Sequence, residues 1–180
     1  MDTVLNSGLI IEVPEAEPAV REPRSRLDGN ARLGIPAHIT VLFPFAPPAY
    51  IDDAVLRRLA GIFAAVPAFE HRLVRTNWFD EDVLWLEPEN DAPFRLLTES
   101  VHREFPDYPP FGGQFEDVVP HLTIADRRPL KQMQSAEHLV EKHLPINCIA
   151  RGVSLMVQRD ASGASTRATS FALGKVPAAS

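Results

Sequence analysis

Residues 36–42 read Pro-Ala-His-Ile-Thr-Val-Leu, and residues 120–124 read Pro-His-Leu-Thr-Ile. Each segment places a histidine and a threonine two positions apart, among apolar and β-branched residues that favour a β-strand. His38 and His121 are separated by close to half the chain, and a predicted helix follows each segment. The repetition indicates a duplicated unit of helix and antiparallel strands, in which each half supplies one His-x-Thr strand to a shared cleft.

The side chains of each His-x-Thr segment are expected to divide between the two faces of a sheet. Residues i and i+2 of a strand point the same way. His38 and Thr40 therefore share one face of the first strand, and His121 and Thr123 share one face of the second. The apolar residues between them face the other way and anchor each strand in the core.

Two imidazoles and two hydroxyls on facing strands suit acid–base chemistry at a phosphorus atom. An imidazole, with an ordinary pKa of about 6.5, takes or gives a proton near neutral pH. Imidazoles on opposite sides of phosphorus can activate water and protonate the leaving oxygen, while threonine hydroxyls donate to the non-bridging oxygens. Such a reaction requires no metal or other cofactor. One His-x-Thr alone is typical of a polar core residue, but the matched pair favours a functional site.

Composition and charge narrow the class of protein. The 180 residues are 45% hydrophobic and carry a formal net charge of −6, which is typical of a globular domain and excludes disordered, collagen-like and coiled-coil chains. A protein that coats long nucleic acid has a basic surplus instead, so we expect no DNA partner. The lone Cys148 forms no internal disulfide. No apolar run is long enough for a membrane span, and the N-terminus lacks the basic start of a signal peptide. We therefore expect a soluble, cytoplasmic monomer.

The predicted elements indicate an α+β fold. Two antiparallel sheets are expected to face each other across a central cleft, with helices on the outside, in one domain spanning residues 1–180 and made of two pseudo-symmetric lobes. No linker or low-complexity tract marks a domain boundary. Residues 15–33 are predicted as a loop with a short helix, and residues 108–115 as an irregular loop. Strands are predicted at 8–13, 37–45, 70–78, 83–86, 118–125, 146–158 and 170–173, and helices at 52–66, 94–105 and 130–144.

The segments AHITVLFPF (37–45) and PHLTIAD (120–126) resemble the paired signatures of the two-histidine (2H) phosphoesterase superfamily. This group contains the 2′,5′ RNA ligase and RNA 2′,3′-cyclic phosphodiesterase proteins. The resemblance implies a bilobal fold and metal-independent opening of 2′,3′-cyclic phosphates to 2′-phosphates, with an RNA end or a small nucleotide as the partner. It implies catalytic roles for His38 and His121, and phosphate contacts for Thr40 and Thr123.

One position departs from the pattern of the family. Many bacterial ligase-like members carry an arginine where this chain has Asp126, and Arg127 and Arg128 follow directly. Either arginine could take that phosphate contact, or the contact is missing. The departure bears on the RNA substrate more than on the chemistry.

Aromatic residues beside the two motifs are candidates for contacts with a nucleobase. Phe43 lies just past the first motif, with Phe45 as a second candidate. Tyr108 and Phe111 lie in a glycine-containing loop before the second motif, and its glycines permit motion. Plain packing is the alternative for each of them.

Other chemistry-bearing residues receive structural interpretations. Trp78, Phe79 and Trp85 are predicted to be core or groove wall, and Cys148 to be a small buried hydrophobe. His138 and His143 lie on one predicted helix but do not share a face, so a solvated surface is favoured over a metal site.

The residues leave three functions open. The first is a cyclic phosphodiesterase with His/His acid–base catalysis, with or without 2′,5′ RNA ligase activity. The second is a non-catalytic RNA-end or nucleotide-binding module whose histidines only hold phosphate. The third is a 2H enzyme that acts on another cyclic phosphate or on a 2′,5′-linked oligonucleotide.

Overall fold

A computed structural model describes residues 5–176 of the chain. Within that range the fold has five α-helices: α1 (Glu17–Leu27), α2 (Gly29–Arg32), α3 (Asp53–Ala64), α4 (Ala92–Glu104) and α5 (Leu130–Glu141). The same range contains eight strands: β1 (Ser7–Glu12), β2 (His38–Leu42), β3 (Phe69–Phe79), β4 (Val83–Pro88), β5 (Leu122–Asp126), β6 (Ile146–Ala150), β7 (Gly152–Gln158) and β8 (Ser165–Ala172). No helix in the described range is long and apolar enough to cross a bilayer.

The strands form two four-stranded antiparallel sheets. The first sheet has the order β2-β1-β7-β8 and the second has the order β5-β4-β3-β6. Helices α3 and α4 pack on the first sheet, whereas α1 and α5 pack on the second. The predicted α+β class with two antiparallel sheets is confirmed. The two edge strands β2 and β5 carry the His-x-Thr segments, and these edges lie close to each other.

The helices at 53–64 and 92–104 form for the reasons that their sequences indicate. The carboxylate of Asp52 accepts a hydrogen bond from the Val55 amide at 2.9 Å and so caps the start of α3. Helix α3 buries Leu59 and Phe63 from its apolar stripe. Helix α4 packs against β2, and its Thr98 hydroxyl donates to the Val41 carbonyl at 2.7 Å. This contact ties the helix to the strand that carries the first motif.

Residues 15–33 are mostly helical, whereas a loop with only a short helix was predicted, because α1 runs for 11 residues through two prolines. Pro18 lies in the first turn, where its missing amide hydrogen costs no helical hydrogen bond. Pro23 has no amide hydrogen and therefore removes one hydrogen bond from the helix interior. The turn that follows it is stabilised by a side-chain contact. Arg24 and Asp28 form a buried ion pair at 2.9 Å across that turn. The apolar residues of α1 are buried as well: Ala19, Val20, Pro23 and Leu27.

The single strand predicted over residues 146–158 was also wrong. The chain leaves the second sheet at the end of β6, turns at Arg151, and enters the first sheet as β7. A Cβ at Gly152 would lie 2.7 Å from the Phe171 carbonyl oxygen, so the crossing depends on glycine. Strands β7 and β8 therefore return to the first sheet, and neither sheet corresponds to one half of the sequence.

Two strands begin four or five residues from their predicted starts, and the first motif strand ends at Leu42 and not at Phe45. The second motif strand begins at Leu122 and not at Val118, since residues 118–121 form an irregular segment beside the cavity. Strand β8 begins at Ser165, five residues before the predicted start, because it pairs with the whole length of β7. Cys148 is buried on β6, as predicted.

Candidate active site

A cavity of about 900 Å³ brings the two His-x-Thr segments together. Its lining includes His38 and Thr40 from β2, and His121 and Thr123 from the β5 segment. All four are half-buried, whereas Ile39 and its counterpart Leu122 are fully buried on the opposite face. The alternation expected from strand geometry therefore holds in both segments, and it directs the two histidines and two threonines to one space.

The ring of His38 is held in a fixed orientation by the backbone. His38 is the first residue of β2, and its Nδ1 lies 2.7 Å from the Pro36 carbonyl oxygen two residues earlier. A carbonyl only accepts hydrogen bonds, so Nδ1 carries the proton of the neutral ring. Nε2 is left with a lone pair and is the nitrogen available to a substrate.

His121 repeats this arrangement directly before β5. Its Nδ1 lies 2.6 Å from the Val119 carbonyl oxygen, again two residues earlier, which leaves Nε2 unprotonated in the neutral ring. The ring of Phe79 meets the imidazole edge-on at 5.0 Å between centroids, and Trp85 meets it at 5.8 Å. Phe79 and Trp85 themselves stack at 4.7 Å. These two aromatic rings restrict the His121 side chain to one orientation.

Burial makes both imidazoles poor proton acceptors. Loss of solvation lowers the pKa of His38 to about 4, and the positive charges of Arg24 and of a protonated His121 act in the same direction. The hydrogen bond to Pro36 and the negative charge of Glu12 oppose this shift and are outweighed. Loss of solvation also lowers the pKa of His121, against the hydrogen bond to Val119. Both rings are therefore neutral at pH 7.

The family of the chain follows from its sequence as a whole. A family model described as the 2′-5′ RNA ligase superfamily matches residues 12–162 and so includes both motifs. This chain belongs to the 2′-5′ RNA ligase superfamily. No curated protein sequence matches the chain at a significant level.

Solved structures share the fold of this superfamily member. The protein TT0787 of Thermus thermophilus is 18% identical, with a TM-score of 0.64, over 96% of this chain and 100% of that one. A protein described as a phosphoesterase is 15% identical, with a TM-score of 0.61, over 95% of this chain and 99% of that one. E. coli LigT complexed with 3′-AMP is 15% identical, with a TM-score of 0.55, over 96% of this chain and 100% of that one.

Three of the further residues predicted for the site line the cavity of this superfamily member. Phe43 is 41% exposed at its wall, and the amide of Phe111 donates to the Phe43 carbonyl at 2.7 Å. Phe111 adopts a left-handed backbone conformation with φ of 50°. Arg127 also lines the cavity, and its side chain is exposed. Its backbone amide donates to the Asp82 carbonyl at 2.7 Å, which fixes its position beside the second motif.

The remaining predicted residues lie outside the cavity lining. Tyr108 packs edge-on against Phe45 at 5.3 Å, and Phe45 itself is a core residue that is 2% exposed. Arg128 is half-buried, and its Nε has no hydrogen-bond partner within residues 5–176. The hydrophobic environment of Tyr108 explains its position: an aromatic residue beside two prolines fills a gap in the core more readily than it stays in solvent.

Sequence reasoning missed most of the polar residues that complete the cavity. Asp80 and Asp82 come from the turn between β3 and β4, and Gln158 comes from the end of β7. The acidic turn is visible in the sequence, but its approach to the second motif depends on the pairing of β4 with β5. Among residues 5–176, no group of three or more His, Cys, Asp and Glu side chains is placed to hold a metal ion.

Proposed function

We propose that the chain is a metal-independent phosphodiesterase that opens 2′,3′-cyclic phosphates of RNA ends or nucleotides to 2′-phosphates. It acts as one domain of two lobes, each of which supplies one His-x-Thr segment. The observation that carries this proposal is the matched orientation of His38 and His121. Each has its Nδ1 on a backbone carbonyl and its Nε2 available at the same cavity.

The reaction needs one imidazole in each protonation state. The neutral imidazole accepts a proton from water at Nε2 as the water oxygen bonds to phosphorus. The bond from phosphorus to the 3′ oxygen breaks, and the protonated imidazole gives its Nε2 proton to that oxygen. The products are a 2′-phosphate and a free 3′ hydroxyl, and the two imidazoles have exchanged protonation states. A proton transfer through water restores the first arrangement.

The remaining groups bind and orient the substrate. Thr40 and Thr123 donate hydrogen bonds from their hydroxyls to the non-bridging oxygens, where negative charge builds up in the transition state. Phe43 and Phe111 offer apolar faces on which a nucleobase can stack. Arg127 supplies a positive charge near the second motif. The LigT complex with 3′-AMP supports a nucleotide as the ligand of this fold.

The pH dependence of the rate tests the acid–base pair. The productive free enzyme has one protonated and one neutral imidazole, so kcat/KM should follow a bell whose limbs report the two pKa values of the pair. Burial lowers both pKa values, and that of His38 falls to about 4. Since lowering both values moves both limbs toward acid, we expect the maximum of kcat/KM below the ordinary imidazole value of about 6.5.

The profile of kcat should lie at higher pH than that of kcat/KM. A bound phosphate anion stabilises the imidazolium and raises its pKa in the complex. Initial rates measured across the pH range at saturating and at low substrate concentration separate the two profiles. A rate that rises continuously into the alkaline range would contradict the paired imidazoles.

A further inference from the structure

The charged residues that line the cavity are mostly acidic. Asp80, Asp82, Asp117 and Asp126 all border it, and Arg127 is the single Lys or Arg in the lining within residues 5–176. The carboxylates lie on the side of the second motif. Asp126 of β5 is opposite Val83 of β4, and Asp82 directly precedes Val83. Carboxylates repel phosphate groups, so this wall disfavours a substrate that carries several phosphates.

Only part of this negative charge is neutralised by the protein. Asp117 is paired with Arg95 at 2.6 Å, and Asp126 lies 4.0 Å from Arg127. Asp80 and Asp82 are exposed at the turn and take part in none of the ion pairs formed within residues 5–176. They therefore present negative charge to anything that extends out of the cavity on this side.

The rest of the wall is neutral and suits a base and a sugar. Further polar lining residues, from the first sheet, its flanking segments and α2, are uncharged: Asn6, Ser7, Asn30, Gln158 and Ser165. Phe43, Phe111 and Phe115 provide apolar faces, and Phe115 is 60% exposed. A volume of about 900 Å³ is within the range of small-molecule sites.

We propose that the preferred substrate is a single nucleoside 2′,3′-cyclic phosphate and not an RNA chain that ends in one; this inference rests on the proposed function. The cyclic phosphate carries one negative charge, which a protonated imidazole can balance. Every further phosphate of an RNA chain adds one negative charge. Salt at physiological ionic strength screens charges that are more than about 8 Å apart, so phosphates and carboxylates closer than this still repel each other. Proteins that bind RNA chains place Lys and Arg beside the phosphates. This wall places Asp80 and Asp82 there instead.

The test compares a nucleoside 2′,3′-cyclic phosphate with a tetranucleotide that ends in the same cyclic phosphate. We expect kcat/KM to favour the mononucleotide by about tenfold or more at about 50 mM NaCl. At about 500 mM NaCl the preference should shrink, because salt screens the repulsion of the longer substrate. An ordinary RNA-binding site behaves in the opposite way, since salt weakens its hold on the chain.

Neutral variants of the turn show whether these carboxylates cause the preference. Asp80→Asn and Asp82→Asn each remove one charge, and asparagine tolerates the left-handed φ of 51° at position 80. The matched control is Glu81→Gln, which removes the same charge from the same turn at an exposed residue outside the cavity lining. We expect Asp80→Asn and Asp82→Asn to lower the ratio of kcat/KM for the mononucleotide to kcat/KM for the tetranucleotide. Glu81→Gln should lower this ratio less.

The outcomes separate this inference from the proposed function. Turnover of both substrates with the tetranucleotide preferred at low salt would overturn the inference and leave the proposed function standing. If Asp82→Asn changes the ratio of the two kcat/KM values no more than Glu81→Gln does, the cavity carboxylates do not cause the preference. If neither substrate is turned over, the proposed function fails, and the inference fails with it.

Discussion

Replacement of His38 or His121 by alanine is expected to lower kcat by about 10²-fold or more, since a positioned general acid or base contributes about 10² to 10⁴. Each imidazole presents Nε2 to the same cavity, and in the proposed mechanism each handles one proton. If the two act as a unit, the double variant should be little worse than the poorer single variant. Steady-state rates on a nucleoside 2′,3′-cyclic phosphate measure this directly.

His138→Ala is the matched control for the histidine variants. His138 has an exposed side chain on α5 and does not line the cavity, so its removal is expected to leave kcat unchanged. Circular dichroism establishes that each variant is folded. Turnover close to the wild-type rate by folded His38→Ala or His121→Ala would remove that residue from the mechanism.

The second large effect is expected at the buried ion pair of α1. Asp28 is 1% exposed and Arg24 is 3% exposed, and the carboxylate of Asp28 accepts from the Arg24 guanidinium at 2.9 Å. It also accepts from the Asn30 amide at the start of α2. Asp28→Ala leaves a buried guanidinium without its counter-charge, which costs about 3–5 kcal/mol in the free energy of unfolding. Urea denaturation of the variant and the wild type measures the difference.

Helix α1 contains its own control for this prediction. Glu22 and Arg26 form an ion pair with the same spacing of four residues, but both side chains are exposed. Glu22→Ala should therefore change the free energy of unfolding far less than Asp28→Ala does. Equal losses in the two variants would mean that burial does not govern the contribution of the Arg24–Asp28 pair.

The buried pair also positions the segment that leads into the first motif. Arg24 donates to the Ile35 carbonyl at 3.0 Å, and Glu17 accepts from the Ala37 amide at 2.9 Å. Pro36, whose carbonyl holds Nδ1 of His38, lies between these two contacts. Helix α1 thus packs on the second sheet and also fixes the approach to β2 in the first.

The parts of the site that the sequence predicts are those set by local periodicity. Alternation along a strand is enough to place His38 with Thr40 and His121 with Thr123, because the period of two holds wherever a strand forms. The cap of α3 and the apolar stripes of α3 and α4 are local in the same sense. These elements were predictable from a few neighbouring residues.

The parts that the sequence does not predict depend on contacts between distant segments. Asp82 reaches the cavity because β4 pairs with β5, with Val83 opposite Asp126. Tyr108 leaves the cavity because Phe45 offers it a packing partner in the core. Residues 146–158 have the sequence of one apolar strand, but β6 lies in the second sheet and β7 in the first. The change of sheet depends on the close approach of Gly152 to Phe171, which is distant in the sequence.

Turnover of a nucleoside 2′,3′-cyclic phosphate by the wild-type protein in excess EDTA tests the central claim most directly. A mechanism carried by His38 and His121 needs no ion to activate the water or to stabilise the charge on the phosphate, whereas a metal-dependent phosphodiesterase needs one for both. We predict the same rate with and without the chelator, and a 2′-phosphate as the product by phosphorus NMR. Activity abolished by EDTA and restored by a divalent ion would contradict the two-histidine mechanism.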